Sequence, residues 1–164
     1  MKLGILSDTH AAADITRRAV ALLLAEGAGH LVHCGDVGDE AVLDALAGVP
    51  SSFVFGNCDN DRRGLQQYAE SIGINCMGIT GLLEFDSKRI AVTHGDDPGL
   101  VARYRRPGSG YDYLFTGHSH VRHDQRLDGL RWINPGALFR ASVKTVVTLD
   151  VSTDALKVIV VPAA

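Results

Sequence analysis

Aspartate, asparagine and histidine residues of metal-ligand type fall in five tight clusters: Asp8-Thr9-His10, Gly35-Asp36, Gly56-Asn57-Cys58-Asp59, His94-Gly95 and Gly117-His118-Ser119-His120. Carboxylate, amide oxygen and imidazole could together hold a divalent ion, and an ion so held can activate water. No cluster carries that reading alone. Gly35-Asp36 reads equally as a turn, because glycine supplies permissive dihedrals and aspartate bonds its own backbone. Asp8 could cap a helix or close a turn, and His94 could be an ordinary strand-end histidine. His118-Ser119-His120 behind Gly117 is the more specific cluster.

What the clusters share is their predicted position, just past the carboxyl end of a strand. Lys2 to Leu6 reads as strand one and His30 to His33 as strand two, with Ser52 to Phe55 as strand three. Between them, Asp14 is a plausible cap for a helix with the apolar stripe Ile15, Ala19, Leu22 and Leu23, which Gly27 and Gly29 end. Asp39 can cap a second helix carrying Val42, Leu43 and Leu46, and a third helix is placed within Arg63 to Ile72. This alternation is the pattern of βαβ units around a buried parallel sheet. From residue 79 the texture changes to hairpins, with a turn at Asp86 to Lys88. A helix is expected over Leu100 to Arg106, and strands at Asp112 to Thr116, Asp124 to Leu127, Thr145 to Val151 and Leu156 to Val161. In open α/β sheets ligands collect at the carboxyl edge, since buried strands fix positions while the following loops let side chains converge.

Composition narrows the partner. The 164 residues are 46% apolar and 21% charged, which fits one globular domain over 1–164 with a substantial core. A formal net charge of −3 offers no broad positive field for a nucleic acid, so a small phosphate ester is favoured over DNA. Three cysteines without CxxC spacing argue against a disulfide framework and for a reducing compartment. The opening MKLGILSD is broken by an acid too early for a secretory segment, and the apolar run Ala19 to Ala25 is too short to cross a membrane. A soluble, cytoplasmic chain is expected, with a homo-oligomer left open.

In order, the string DTH, GD, GNCD, HG, GHSH resembles the calcineurin-like metallophosphoesterases, whose blocks run D-x-H, G-D, G-N-H-[DE], H-G and G-H-x-H. The resemblance spans residues 7 to 120, and Asn134-Pro135-Gly136-Ala137 looks like the NPGS segment of the small bacterial and archaeal branch. It implies an α/β fold, a four-layer αββα sandwich. It also implies that Asp8, His10 and His120 bind one metal, that Asn57, His94 and His118 bind a second, and that Asp36 bridges them. Four imidazoles, two carboxylates and an amide without thiolate suit two divalent transition-metal ions, Mn first and Fe, Zn, Ni or Co as alternatives, better than Ca or Mg. Such a pair would outweigh the charges of Asp8, Asp36 and a bridging hydroxide, and a phosphodiester anion would neutralise the surplus. The reaction implied is hydrolysis of small phosphodiesters through that hydroxide, with no side-chain nucleophile.

The family's third block carries histidine where this chain has Cys58, at a position tied to the leaving group. A thiol near its ordinary pKa of about 8.5 is a poorer proton donor at neutral pH than imidazole, so good leaving groups such as aryl esters are expected to fare best. The alternative for Cys58 is a small residue packed beneath the site. Asp59 could orient a ligand histidine or bound its turn. His33 is read as structural with a possible role beside Asp36, while His30 and His123 are assigned to the surface. Arg103, Arg105 and Arg106 are read as a solvated helix face. Arg62, Arg122 and Arg140 are candidates for phosphate contact. Because the resemblance extends to the retromer subunit of the same fold, a non-catalytic assembly scaffold is the competing function. A nuclease is the other.

Overall fold

The computed structural model describes residues 1–163. Two mixed sheets form its centre. One runs in the order β11(Ala155–Val160), β10(Thr145–Asp150), β1(Lys2–Leu6), β2(His30–His33), β3(Ser51–Phe53) and β4(Asn75–Cys76); the other in the order β5(Thr80–Phe85), β6(Lys88–Thr93), β7(Tyr113–Phe115), β9(Leu130–Asn134) and β8(His123–Leu127). The strands from β1 to β4 are parallel, while β5–β6, β8–β9 and β10–β11 are antiparallel hairpins. The expected change of texture near residue 79 is therefore the passage from one sheet to the other.

Strand alternation builds three cores. Leu3, Ile5 and Val32 of the first sheet, with Val54 just past β3, meet Ile90, Val92, Tyr113, Phe115 and Ile133 of the second. Residues of opposite parity turn outward: Leu6, Leu31 and Phe53 pack beneath α1(Ala13–Ala25), α2(Glu40–Leu46) and α3(Arg62–Ser71), and Ala91, Leu114 and Leu130 pack beneath α4(Pro98–Arg105). Helices, sheet, sheet and helix make the four-layer αββα sandwich. Each fully buried Leu, Ile or Phe contributes about 1.5–3 kcal/mol, so the strand ends that carry the clusters are anchored from both faces.

Several local expectations need correction. Helix α1 starts one residue before Asp14 and has no side-chain cap; Asp14 instead pairs with Arg17 on the exposed face. Strand three is Ser51–Phe53, because Val54 and Phe55 already belong to the loop entering the Asn57 cluster, where the Phe55 amide bonds the Gly78 carbonyl. Asp97, with Pro98 at the first helical position, caps α4 two residues early. His30 and His123 are half-buried rather than superficial: His30 contacts the Ser52 hydroxyl and His123 packs edge-on against Trp132. The short β4 and β9 were not anticipated. β9 hides an arginine inside a buried strand, and an ion-pair cluster explains it: Arg131 bonds Asp124 of β8 at 2.8 Å and Asp154 of the β10–β11 turn at 2.6 Å.

That cluster joins the two sheets at their edges. The Arg131 hydrogen bonds hold Asp124 below the ordinary carboxylate range. Burial would raise Asp154, but Arg126 and Arg131 outweigh it and hold its carboxyl at about 2. Both carboxyls are depressed relative to an unfolded aspartate near about 3.9, so their contribution is present above that pH and lost as pH falls toward about 2. Arg131→Met should lower stability by about 2 kcal/mol at neutral pH. Urea midpoints should show the gap between the two proteins closing as the buffer is acidified from about pH 5 toward pH 3.

Candidate metal centre

All five clusters meet at the carboxyl edge. Asp8 and His10 follow β1, Asp36 follows β2, Asn57 follows β3, His94 follows β6, and His118 and His120 follow β7. The loops after β1 and β2 are laced together by amides of Asp8, Thr9, His10 and Ala11 bonding carbonyls of Gly35, Asp36 and Val37. Gly117 N bonds the His94 carbonyl, and His118 N donates to Asp8 Oδ2 at 3.1 Å, so the second sheet's loops are stitched onto the first.

The side chains then converge. His120 Nε2 lies 3.2 Å from Asp8 Oδ1, and His10 Nε2 lies 3.3 Å from Asp36 Oδ2. His94 Nε2 lies 3.3 Å from Asp36 Oδ2 and 3.9 Å from Asp8 Oδ1. His118 Nδ1 is 3.1 Å from Asn57 Oδ1. Two groups emerge in which the ligand atoms lie within 4.8 Å of one another: Asp8 with His10 and His120, and Asp8 with Asp36 and His94. A third joins His10 and Asp36 to the Cys58 thiol, a grouping the sequence reading had set aside.

Polar atoms buried in the cluster test whether a cation fits. Asp8 Oδ1, His10 Nε2 and His94 Nε2 are buried and have no hydrogen-bond partner, despite their short approaches to charged neighbours. Each such orphan costs about 1–3 kcal/mol, and Asp8 groups with each of the two histidines. The backbone is unusual at the same place: Asp8, His10, Asp36, His118 and His120 have φ between 44° and 67°, the left-handed region. Non-glycine residues held there cost on the order of 1–3 kcal/mol each and concentrate at functional sites. Orphaned nitrogens and oxygens on strained loops, in a donor set of imidazole, carboxylate and amide, fit divalent transition metals.

Electrostatics point the same way. Burial pushes the Asp8 carboxyl above the ordinary range, against the Ser7 hydroxyl and the nearby histidines. Burial opposes ionisation of Asp36 too, but His94, the Cys58 amide at 2.8 Å and His10 outweigh it and hold its carboxyl well below that range. Burial would lower His94, yet Asp36 and Asp8 raise it. Asp8 and Asp36 thus favour positive charge in their midst, charge that a metal cation can supply.

Supporting groups aim the ligands. His94 Nδ1 donates to the Cys34 carbonyl at 2.8 Å, which leaves Nε2 free for the site. His33 Nδ1 accepts from Gly35 N, so its Nε2–H donates to Thr9 Oγ1 at 2.9 Å, and Thr9 in turn donates to the Val37 carbonyl at 3.0 Å. Burial first, and the charge of His94 second, push His33 down to about 3, so it stays neutral in this network. Asp59 accepts from Gly38 N at 2.9 Å and Gly56 N at 2.8 Å, so it ties two site loops rather than orienting a histidine. Asn134 was noted only for its motif; its amide donates to the Gly117 carbonyl at 2.7 Å and Ser119 Oγ at 3.1 Å, gripping the loop that carries both histidines. Two glycines are forced by close approach: a Cβ on Gly117 would fall 1.9 Å from Ser7 Oγ, and one on Gly56 would fall 2.1 Å from Asp36 Oδ1.

An open cleft of about 410 Å³ lies over His10, Asp36, Asn57, His118 and His120, with Cys58, Phe139 and Arg140 at its rim. Cys58 is exposed, not packed beneath the site, and burial and the Asp36 charge keep its thiol above the usual range. Arg140 stacks over Phe139, whose ring lies 5.0 Å from that of His10. Arg62 points elsewhere, donating to the Gly56 and Asp59 carbonyls, and Arg122 stays exposed. Arg105 stays exposed, as expected of a solvated face, and its guanidinium also lies over Trp132, 4.3 Å from its ring.

Residues 1–154 match the calcineurin-like phosphoesterase superfamily domain. The chain belongs to that family, and with it to the divalent-metal-dependent phosphoesterases. A phosphodiesterase of Methanocaldococcus jannaschii is 28% identical over 155 residues, covering 92% of this chain and 93% of the relative. The solved structure of an archaeal phosphodiesterase superposes with a TM-score of 0.89 at 27% identity, covering 98% of this chain and 99% of that one. Vps29 from Entamoeba histolytica, in a single-mutant form, shares the fold with a TM-score of 0.68 at 19% identity over 98% and 99% of the two chains.

Asn134→Ala leaves every candidate ligand in place yet frees the 117–120 loop. Its metal dissociation constant should rise about 10–100-fold, measured by competition with a chromogenic chelator, while its melting temperature changes modestly. Gly117→Ala should lose both metal binding and stability, because its Cβ can be placed only by moving Ser7 and Asp8.

Proposed function

We propose that this chain is a phosphodiesterase that hydrolyses small phosphate esters with two divalent transition-metal ions, manganese preferred. Asp8, His10 and His120 would hold one ion, Asn57, His94 and His118 the other, and Asp36 would bridge them. The observation that carries this reading is the set of buried, partnerless atoms Asp8 Oδ1, His10 Nε2 and His94 Nε2 converging beneath an open cleft. Two ions so held supply charge to polarise the phosphoryl oxygens and lower the pKa of a shared water. The chain's residues do the rest. Asp36 stays ionised between the two histidine sets. His94, steered by the Cys34 carbonyl, presents Nε2, and the loop held by Asn134 presents His118 and His120. Arg140, which lines the cleft, would meet a phosphate oxygen.

Cys58 takes the position that the family resemblance ties to the leaving group, and its raised thiol pKa makes it a weak proton donor near neutrality. Good leaving groups are thus the natural substrates of this site. Three cysteines without CxxC spacing support the reading of a reducing, cytoplasmic setting. Among the described residues no helix is long and apolar enough to cross a membrane.

The second reading, an assembly scaffold, has the fold shared with Vps29 behind it. A complete set of metal-ligand side chains on strained loops weighs against it, since a surface used only for docking needs neither. Turnover of a bis-aryl phosphate, a mono-aryl phosphate and single-stranded DNA with added Mn²⁺ separates the readings. The bis-aryl ester should turn over fastest, and Asp36→Ala should lower that rate by at least about 10³-fold. No metal-dependent turnover of any of the three would favour the scaffold, and preference for DNA would favour a nuclease. Cys58→His should raise kcat for alkyl esters more than for aryl esters, and equal effects on both would remove the leaving-group argument.

A further inference from the structure

A second groove, about 430 Å³, opens on the far side of His118 from the metal cleft. His118 is the wall the two share. Its floor and sides are apolar or aromatic: Pro98, Val101 and Ala102 from α4 face Trp132 of β9 and His123 of β8. The indole is locked, since its Nε1–H donates to Thr116 Oγ1 at 2.9 Å, the Arg105 guanidinium lies over the ring, and His123 meets it edge-on with centroids 4.4 Å apart. His123 Nε2 is buried without a hydrogen-bond partner, and burial, with the charge of Arg105, holds the ring toward its neutral form. The metal site makes no use of these groups.

We infer that this groove is the subsite for a planar aromatic or heteroaromatic group on the substrate's phosphorus, the group retained rather than expelled; this rests on the phosphodiesterase reading above. In-line displacement keeps the attacking oxygen, phosphorus and leaving oxygen on one axis, so the leaving group departs along that axis and the retained group projects sideways. The groove adjoins the metal cleft across His118, so a substituent on phosphorus that lies off that axis toward His118 would enter it. A flat ring there gains apolar burial against Val101 and Ala102 and stacking with the Arg105–Trp132 pair, while His123 Nε2 offers a hydrogen bond to a heteroatom edge. An apolar slot with one or two placed polar groups is the usual form of a specificity pocket.

Two p-nitrophenyl phosphonates that differ only in the retained group, phenyl or methyl, test this with the Mn²⁺-loaded full chain. Ala102 is exposed on α4 and lines the groove, so Ala102→Phe fills it with metal content as the check on folding. The phenyl-to-methyl ratio of kcat/KM should fall about tenfold in Ala102→Phe. The chain has a single tryptophan, so Trp132 fluorescence is an independent readout. Phenylphosphonate should change it saturably, methylphosphonate should not, and the response should vanish in Ala102→Phe. An unchanged ratio, or equal fluorescence responses to both phosphonates, overturns the subsite while leaving the phosphodiesterase reading intact. If neither ester is turned over, that reading fails first and the subsite falls with it.

Discussion

Two buried carboxylates, Asp8 and Asp36, sit among imidazoles at the floor of a cleft, and the fold around them is arranged to make that arrangement tolerable. Burial pushes Asp8 toward its neutral form while neighbouring histidines keep Asp36 ionised, so without a cation the cluster must divide protons among groups that all prefer to donate electron pairs inward. The loops carrying these residues are bent into the left-handed region at five candidate ligand positions. Strain of that kind persists only where the surroundings over-determine it. Here the over-determination is visible: the lacing between the loops after β1 and β2, the Asp59 carboxylate across two amides, and the Asn134 grip on the histidine loop.

The sandwich explains why the site is drawn from two sheets. β1, β2 and β3 are parallel and end together, as do β6 and β7, which also run parallel. The inter-sheet core fixes their relative height. His94 and Asp36 can approach within 3.3 Å only because the loops of one sheet lean over those of the other, and Gly35 and Gly56 are the places where side chains would block that approach. A rigid scaffold with strained loops at one edge concentrates chemistry there.

Much of this was legible in the amino-acid order. Strands buried on both faces showed as largely apolar, β-rich runs at Lys2–Leu6 and Thr145–Asp150, and the order of the five clusters pointed to the family and to the seven ligand candidates. What escaped had physical causes. β4 is two residues long, and β9 contains Arg131 and Asn134, polar residues buried because partners distant in sequence satisfy them. Asp59 looked like a partner for histidine, but its geometry is decided by two amides that no pattern reveals. Half-burial of His123 and the placement of Arg105 depend on Trp132, which packs from another strand; a groove assembled from α4, β8 and β9 has no local signature.

We propose that the buried Asp8–Asp36–histidine cluster holds a pair of metal ions. Elemental analysis of the chain after gentle purification and manganese loading, set beside Asp36→Ala prepared identically, tests it most directly. The account predicts two equivalents of divalent transition metal per chain, with at least one lost in Asp36→Ala because the bridging ligand serves both positions. No bound metal in the unaltered chain, or equal content in the variant, would contradict it.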